Sequence, residues 1–242
     1  MASEATTFPR RFYRTVAVVE AGEGFTIHLD ARALKTPARA SVSLPTRALA
    51  ELCAAEWDGQ GEFIVPSSMP VTQLAFAAID WASRDRQERI DYALAFARSD
   101  LCCHRAASPS ELAARQEECW GRFVRWATET LGAPLPVVTG VIAAQADEAS
   151  IGTLRAHAVE LDDYALTALA QAAGLTGSIL VAFALARGEA NAQEAFEAAA
   201  LDELWSLAHW GEDAEARARL ERLRTDISAV GRFLTSLDGV AR

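Results

Sequence analysis

Lysine is almost missing from this chain of 242 residues: of 23 basic residues, only Lys35 is a lysine. The 33 acidic residues set the net charge at −10 and the pI near 4.9. Such a chain lacks the basic face that counterion release from nucleic acid requires. An anionic membrane surface would repel it for the same reason. The excess of arginine over lysine points to a GC-rich genome rather than to a mechanism. Cysteine is scarce too. Cys53, Cys102, Cys103 and Cys119 form no C-x-x-C pair, and four scattered cysteines in a chain this long do not make a disulfide framework. They read as reduced thiols in a cytosol-like compartment. The longest apolar runs, Ala133–Ala146 and Ile179–Ala186, are too short or too broken by Pro and Gly to span a bilayer. The opening MASEATTFPRR has neither the apolar core of a secretory signal nor the Arg-rich amphipathic helix of a transit peptide.

Catalytic patterns are equally thin. No G-x-S-x-G, H-E-x-x-H or EF-hand pattern occurs. Cys102, Cys103 and His104 are adjacent, so on a helix they point about 100° apart and do not form a zinc site; helix-end packing explains them. Gly174–Ser178 precedes a helix but lacks the lysine and spacing of a P-loop, so a helix cap is the simpler reading. No catalytic residue, metal ligand or cofactor is expected.

What is present falls into order along the chain. Residues 1–10 read as a loose N-terminus. Residues 11–45 alternate as a small antiparallel β-meander, with Phe25, Ile27 and Leu29 on one face. Residues 46–70 hold an amphipathic helix, Thr46–Asp58, and an extended junction, Glu62–Pro70, set by Pro66 and Pro70. Residues 71–242 read as helices. Asp85 with Glu88 resembles a capping box, and Ser108, Pro109 and Glu111 read as N-cap, N1 and N3 of a further helix. Helices are expected over 150–160, 162–173, 178–187, 192–210 and 214–237, with Gly174, Gly188 and Gly211 at the ends of three of them. Strands followed by helices predict an α+β fold with a small N-terminal antiparallel β domain and a larger α-helical domain.

Aromatic–acid pairings stand out. Trp57 lies between Glu56 and Asp58. Asp202 and Glu203 precede Trp210, Glu212 and Asp213. Tryptophan is the residue most enriched at binding hot spots; core packing with the acids in solvent is the bland alternative.

Ordered motifs then carry a resemblance. Arg11-Phe12-Tyr13 opens the series. Leu29-Asp30, Arg32 and Leu34-Lys35-Thr36-Pro37-Ala38 follow. Glu56-Trp57-Asp58, Gln60, Glu62, Ile64, Pro66 and Met69-Pro70 come next, then Asp100-Leu101, Arg105-Ala106 and Arg115-Gln116. Gly177-Ser178, Leu201-Asp202-Glu203 and Trp210-Gly211-Glu212-Asp213 complete it. The set resembles the "Atp-twelve" family of assembly chaperones that act on the alpha subunit of the F-type ATP synthase. The resemblance implies a non-enzymatic chaperone that holds the unassembled alpha subunit until the beta subunit replaces it. It implies no nucleotide or metal and a monomer in a bacterial cytoplasm, the mitochondrial matrix being expected for eukaryotic relatives. Glu203, Trp210, Glu212 and Asp213 are the expected client contacts, with Asp202 and Trp57 added. Lys35, Pro37, Pro66 and Pro70 are structural. Two alternatives stay open: an enzyme or small-molecule binder using a cleft between sheet and helices, and a structural subunit of a stable complex.

Overall fold

The computed structural model describes residues 8–82, 86–140, 145–211 and 213–237. Strands β1 (Val16–Ala21), β2 (Gly24–Leu29) and β3 (Arg32–Ala33) form an antiparallel sheet in sequence order, with Val18 opposite Ile27. Helices follow: α1 (Arg47–Asp58), α2 (Pro70–Ala82), α3 (Arg86–Ala95), α4 (Ser110–Trp126), α5 (Glu148–Glu160), α6 (Asp163–Thr176), α7 (Ile179–Ala186), α8 (Ala192–Trp210) and α9 (Ala214–Ser236). The fold is α+β, with a small sheet followed by a larger helical part.

Two units separate. One comprises the described residues up to Ala82 and those from Thr235; the other runs from Arg86 to Leu234. The boundary between them lies after α2, since α1 packs on β1 and β2 and α2 packs on α1. The reason is chemical. Helix α2 begins at Pro70, and its first backbone N–H groups have no partner inside the helix. The Glu56 carboxylate on α1 accepts from Val71 N–H at 2.9 Å and Thr72 N–H at 2.7 Å. Negative charge at a helix N-terminus is also favoured by the dipole.

The remaining motif residues fasten the same corner. The Gln60 amide donates to the Glu56 carbonyl at 3.0 Å and accepts from Val65 N–H at 2.7 Å. Tyr13 donates its hydroxyl to the Trp57 carbonyl at 2.6 Å. Arg11 reaches the Asp58 carbonyl at 2.9 Å and stacks over Tyr13. Thr36 donates its hydroxyl to Asp80 on α2, and Ala38 N–H is 3.4 Å from the same carboxylate. Lys35 and Pro37 are exposed on that loop. The junction is not extended throughout: Pro66–Ser68 forms a single 3-10 turn, with Pro66 at its first position, where a missing N–H costs nothing. Of the expected loose N-terminus, residues 1–7 lie outside the described residues. Pro9 and Arg10 are paired to the junction through Ile64 N–H and a bridge to Phe63. Finally, Thr46, the N-cap of α1, donates its hydroxyl to the Ser236 carbonyl at 2.6 Å across 190 residues of sequence.

In the helical unit, every residue of α7 is buried, as its all-apolar sequence requires. Around it pack Leu166 and Leu169 of α6, Trp120 and Phe123 of α4 and Phe196 of α8. Trp120 donates its indole N–H to the Ala198 carbonyl at 2.9 Å. Asp100 does for α7 what Glu56 does for α2. Fully buried, it accepts from the Ser178 hydroxyl at 2.7 Å, Leu180 N–H at 3.1 Å and Cys102 N–H at 2.9 Å. Burial pushes its pKa from 3.8 up to about 6 against the pull of those donors.

Three local expectations shift. The α4 cap does not form as read: Pro109, with ψ 158°, sits outside the helix at the N-cap position without a side-chain bond, so the helix starts one residue later. Gly174 lies inside α6, and Gly177, at φ 68°, ends it. A Cβ at Gly174 would lie 2.7 Å from the Tyr92 hydroxyl, so glycine there permits close approach to α3. Asp85, of the expected capping box, lies outside the described residues.

Two stability measurements test these fasteners. Glu56→Ala leaves the start of α2 uncapped and should cost about 1–2 kcal/mol in urea denaturation. Asp100 binds its proton more tightly folded than unfolded, so its contribution to stability falls as pH rises from about 4 to 6 and is level above. Asp100→Asn removes this drift while presenting an amide N–H to backbone donors. Its penalty relative to wild type should therefore shrink, by roughly 2–3 kcal/mol at most, between pH 4 and pH 7. A penalty that grows over this window would contradict the assignment.

Candidate functional site

Helix α8 is built in two halves. Asn191 and Glu194 form a reciprocal capping box that fixes its start. Ala195, Phe196, Ala198, Ala200 and Leu201 are then buried. From Asp202 to Trp210, the end of the helix, no residue is buried. Leu204, Trp205 and Leu207 are half-exposed, and Ala208, His209 and Trp210 are exposed. Trp210 shows 81% of its surface, more than any other exposed large hydrophobic residue described. Gly211, at φ 98°, turns the chain in a conformation that side chains disfavour. Asp213 then caps α9, accepting from Glu215 N–H at 2.8 Å. The tip of the α8–α9 hairpin thus presents an indole to solvent and leaves the end of α8 uncovered.

The acids around this tip differ in what they do. Asp202 accepts from the Gln116 amide at 2.7 Å; Gln116, buried on α4, in turn accepts from Ala106 N–H at 2.7 Å. Three separate pieces of the motif series meet in this chain. Glu203 has a side chain 26% exposed and pairs with Arg219 of α9 at 2.6 Å. Trp205 stacks on His209, with ring centroids 4.1 Å apart. Glu212 lies outside the described residues. The sequence singles out Glu203, Trp210 and Asp213, and Gln116 within the motif series, but neither Arg219 nor the pairing of Gln116 with Asp202. These pairings depend on hairpin register and on packing between α4 and α8, which no short spacing encodes.

Trp57 is corrected. It is 7% exposed, its ring meets Tyr13 edge-on at 5.8 Å, and its carbonyl takes the Tyr13 hydroxyl bond. It is a core residue of the first unit.

Two open concavities also border α8. One, of about 500 Å³, is lined by Arg115, Cys119, Arg122, Glu194 and Phe196 among others. The other, of about 570 Å³, includes Phe196, Leu204, Leu207 and Leu220. In the first, burial pushes the Cys119 thiol up, while Arg122 and the Asn191 N–H hold Glu194 down. Both shifts move away from general acid–base or thiolate chemistry at neutral pH. Burial also raises Cys53 and Cys103 to about 12. Among the described residues, no three His, Cys, Asp or Glu side chains converge to hold a metal ion, and no helix is long and apolar enough to cross a membrane.

Residues 10–128 match the family model described as ATP12 chaperone protein. The crystal structure of Atp12 from Paracoccus denitrificans superposes with a TM-score of 0.87 at 33% identity, covering 94% of this chain and 98% of that one. The chain belongs to the Atp12 chaperone family. Atu1473 from Agrobacterium tumefaciens is 41% identical with a TM-score of 0.89, covering 96% of this chain and 87% of its own. The mitochondrial atp12 protein of Schizosaccharomyces pombe is 26% identical over 220 residues, 85% of this chain and 75% of that protein. In this Atp12 relative, the Glu56, Gln60 and Pro66 stretch is a fastening of the first unit, and Trp210 is exposed at the end of α8.

A pair of substitutions separates these roles. Trp57→Ala should destabilise by about 3–5 kcal/mol, because it empties a core position. Trp210→Ser should change stability by no more than about 0.5 kcal/mol, as read by thermal denaturation.

Proposed function

We propose that this protein is a non-enzymatic assembly chaperone for the F-type ATP synthase, one that binds the unassembled alpha subunit of the catalytic head and holds it until the beta subunit replaces it. Membership of the Atp12 chaperone family supports the chaperone class. The observation that carries the binding site is Trp210, exposed at the α8–α9 tip with Glu203 and Asp213 nearby. An unassembled subunit exposes apolar assembly surface, which aggregates unless covered. A cover that must leave again suits a modest interface with a few anchors rather than an obligate one. The net charge of −10 favours fast encounter with a basic client surface. The setting proposed is a bacterial cytoplasm, with the protein acting as a monomer.

Capture of purified, unassembled alpha subunit on the immobilised protein tests this reading. Wild type should retain it. Trp210→Ser should weaken binding by about 30-fold, the loss of roughly 2 kcal/mol. Glu203→Lys should abolish capture in a protein that stays folded. Unchanged capture by Glu203→Lys would remove that residue from the site, and no capture by wild type would end the alpha-subunit reading.

A further inference from the structure

Glu203 is the half-sheltered acid of the tip. Its side chain is 26% exposed, and the charge opposite it, on Arg219, stands 62% exposed on the neighbouring helix. An ion pair reaching this far into solvent contributes at most about 1 kcal/mol, so exchanging its cation costs little. Arg219 also has other acids to turn to. Glu215, one helical turn earlier on α9, and Asp213 both attract it, after Glu203 itself. Glu203 and Trp210 are seven residues apart on α8, two turns, and therefore share a face roughly 10 Å apart along the axis. The acids that act on Arg219 there are Glu203, Glu215 and Asp213, three negative charges around one cation.

We propose that Arg219 is a placeholder on Glu203, and that a basic side chain of the client takes its position when Trp210 docks. The face then fits a partner surface of definite chemistry: an apolar recess for the indole with an Arg or Lys about 10 Å away. The displaced Arg219 swings to Glu215 and Asp213, so no charge is stranded. This rests on the alpha-subunit reading above and adds what the client must present.

The experiment measures the affinity of purified, unassembled alpha subunit for wild type, Arg219→Ala, Glu203→Gln and the double variant, with thermal denaturation confirming that each is folded. Removing a competitor should tighten binding in Arg219→Ala by up to about fivefold. Glu203→Gln should weaken it by about tenfold, and in that background Arg219→Ala should change nothing. Arg219→Lys, which keeps the pair, should bind as wild type does. Weakened or unchanged binding in Arg219→Ala would overturn the exchange while leaving the alpha-subunit reading intact. Failure of wild type to bind overturns both.

Discussion

Two carboxylates meet helix starts that cannot satisfy themselves. Glu56 takes the N–H groups of Val71 and Thr72, and Asp100 takes that of Leu180 together with the Ser178 hydroxyl. In each unit the acid comes from a different part of the chain. The bond therefore does two things at once. It removes the desolvation cost of orphaned donors, and it ties a remote segment to the helix it caps. Around Glu56, the Gln60 amide and the Pro66 turn set the path between α1 and α2, so the helix that carries the strands is itself backed by α2. Around Asp100, the buried α7 gains a fixed starting point on which α4, α6 and α8 assemble. Asp100 carries a heavy electrostatic burden: burial raises its pKa although the Ser178 hydroxyl and the N–H groups of Leu180 and Cys102 favour its charged form.

Trp57 and Trp120 hold the fold, whereas Trp210 faces outward. Trp57 and Trp120 are buried, one against Tyr13 and the other bonded to the Ala198 carbonyl. Trp210 has no such cover. The same division applies to acids. Asp202 works inward through Gln116, and Asp213 caps α9. Glu203 is held by a single exposed arginine. The proposed client face therefore draws on few of the interactions that maintain the helices. That arrangement suits a protein whose binding has to be reversible: what is released is a contact, not a piece of the core.

Much of the fold was legible because its signals are local. Alternation marked β2, the amphipathic run Thr46–Asp58 marked α1, and Gly188 and Gly211 marked the ends of α7 and α8. The division between units was not, because it is decided by Glu56 reaching across 15 residues to α2, a long-range bond without periodicity. Trp57 stands among the expected contacts because tryptophan is enriched at binding hot spots; its packing against Tyr13 puts it in the core. At Pro109, a proline that reads as the first helical residue instead lies just before it, a difference of one ψ angle. For the tip, residue types flagged Glu203 and Trp210, but the partner of Glu203 depended on how α9 returns alongside α8.

The bond from Thr46 to the Ser236 carbonyl has a consequence for biosynthesis. Domains made early in translation generally fold as they emerge. Here the sheet, α1 and α2 are complete once residue 82 has been made, yet the hydroxyl that caps α1 waits for a carbonyl synthesised about 150 residues later. The unit translated first is sealed last, so its closure reports that the helical unit between has already been made.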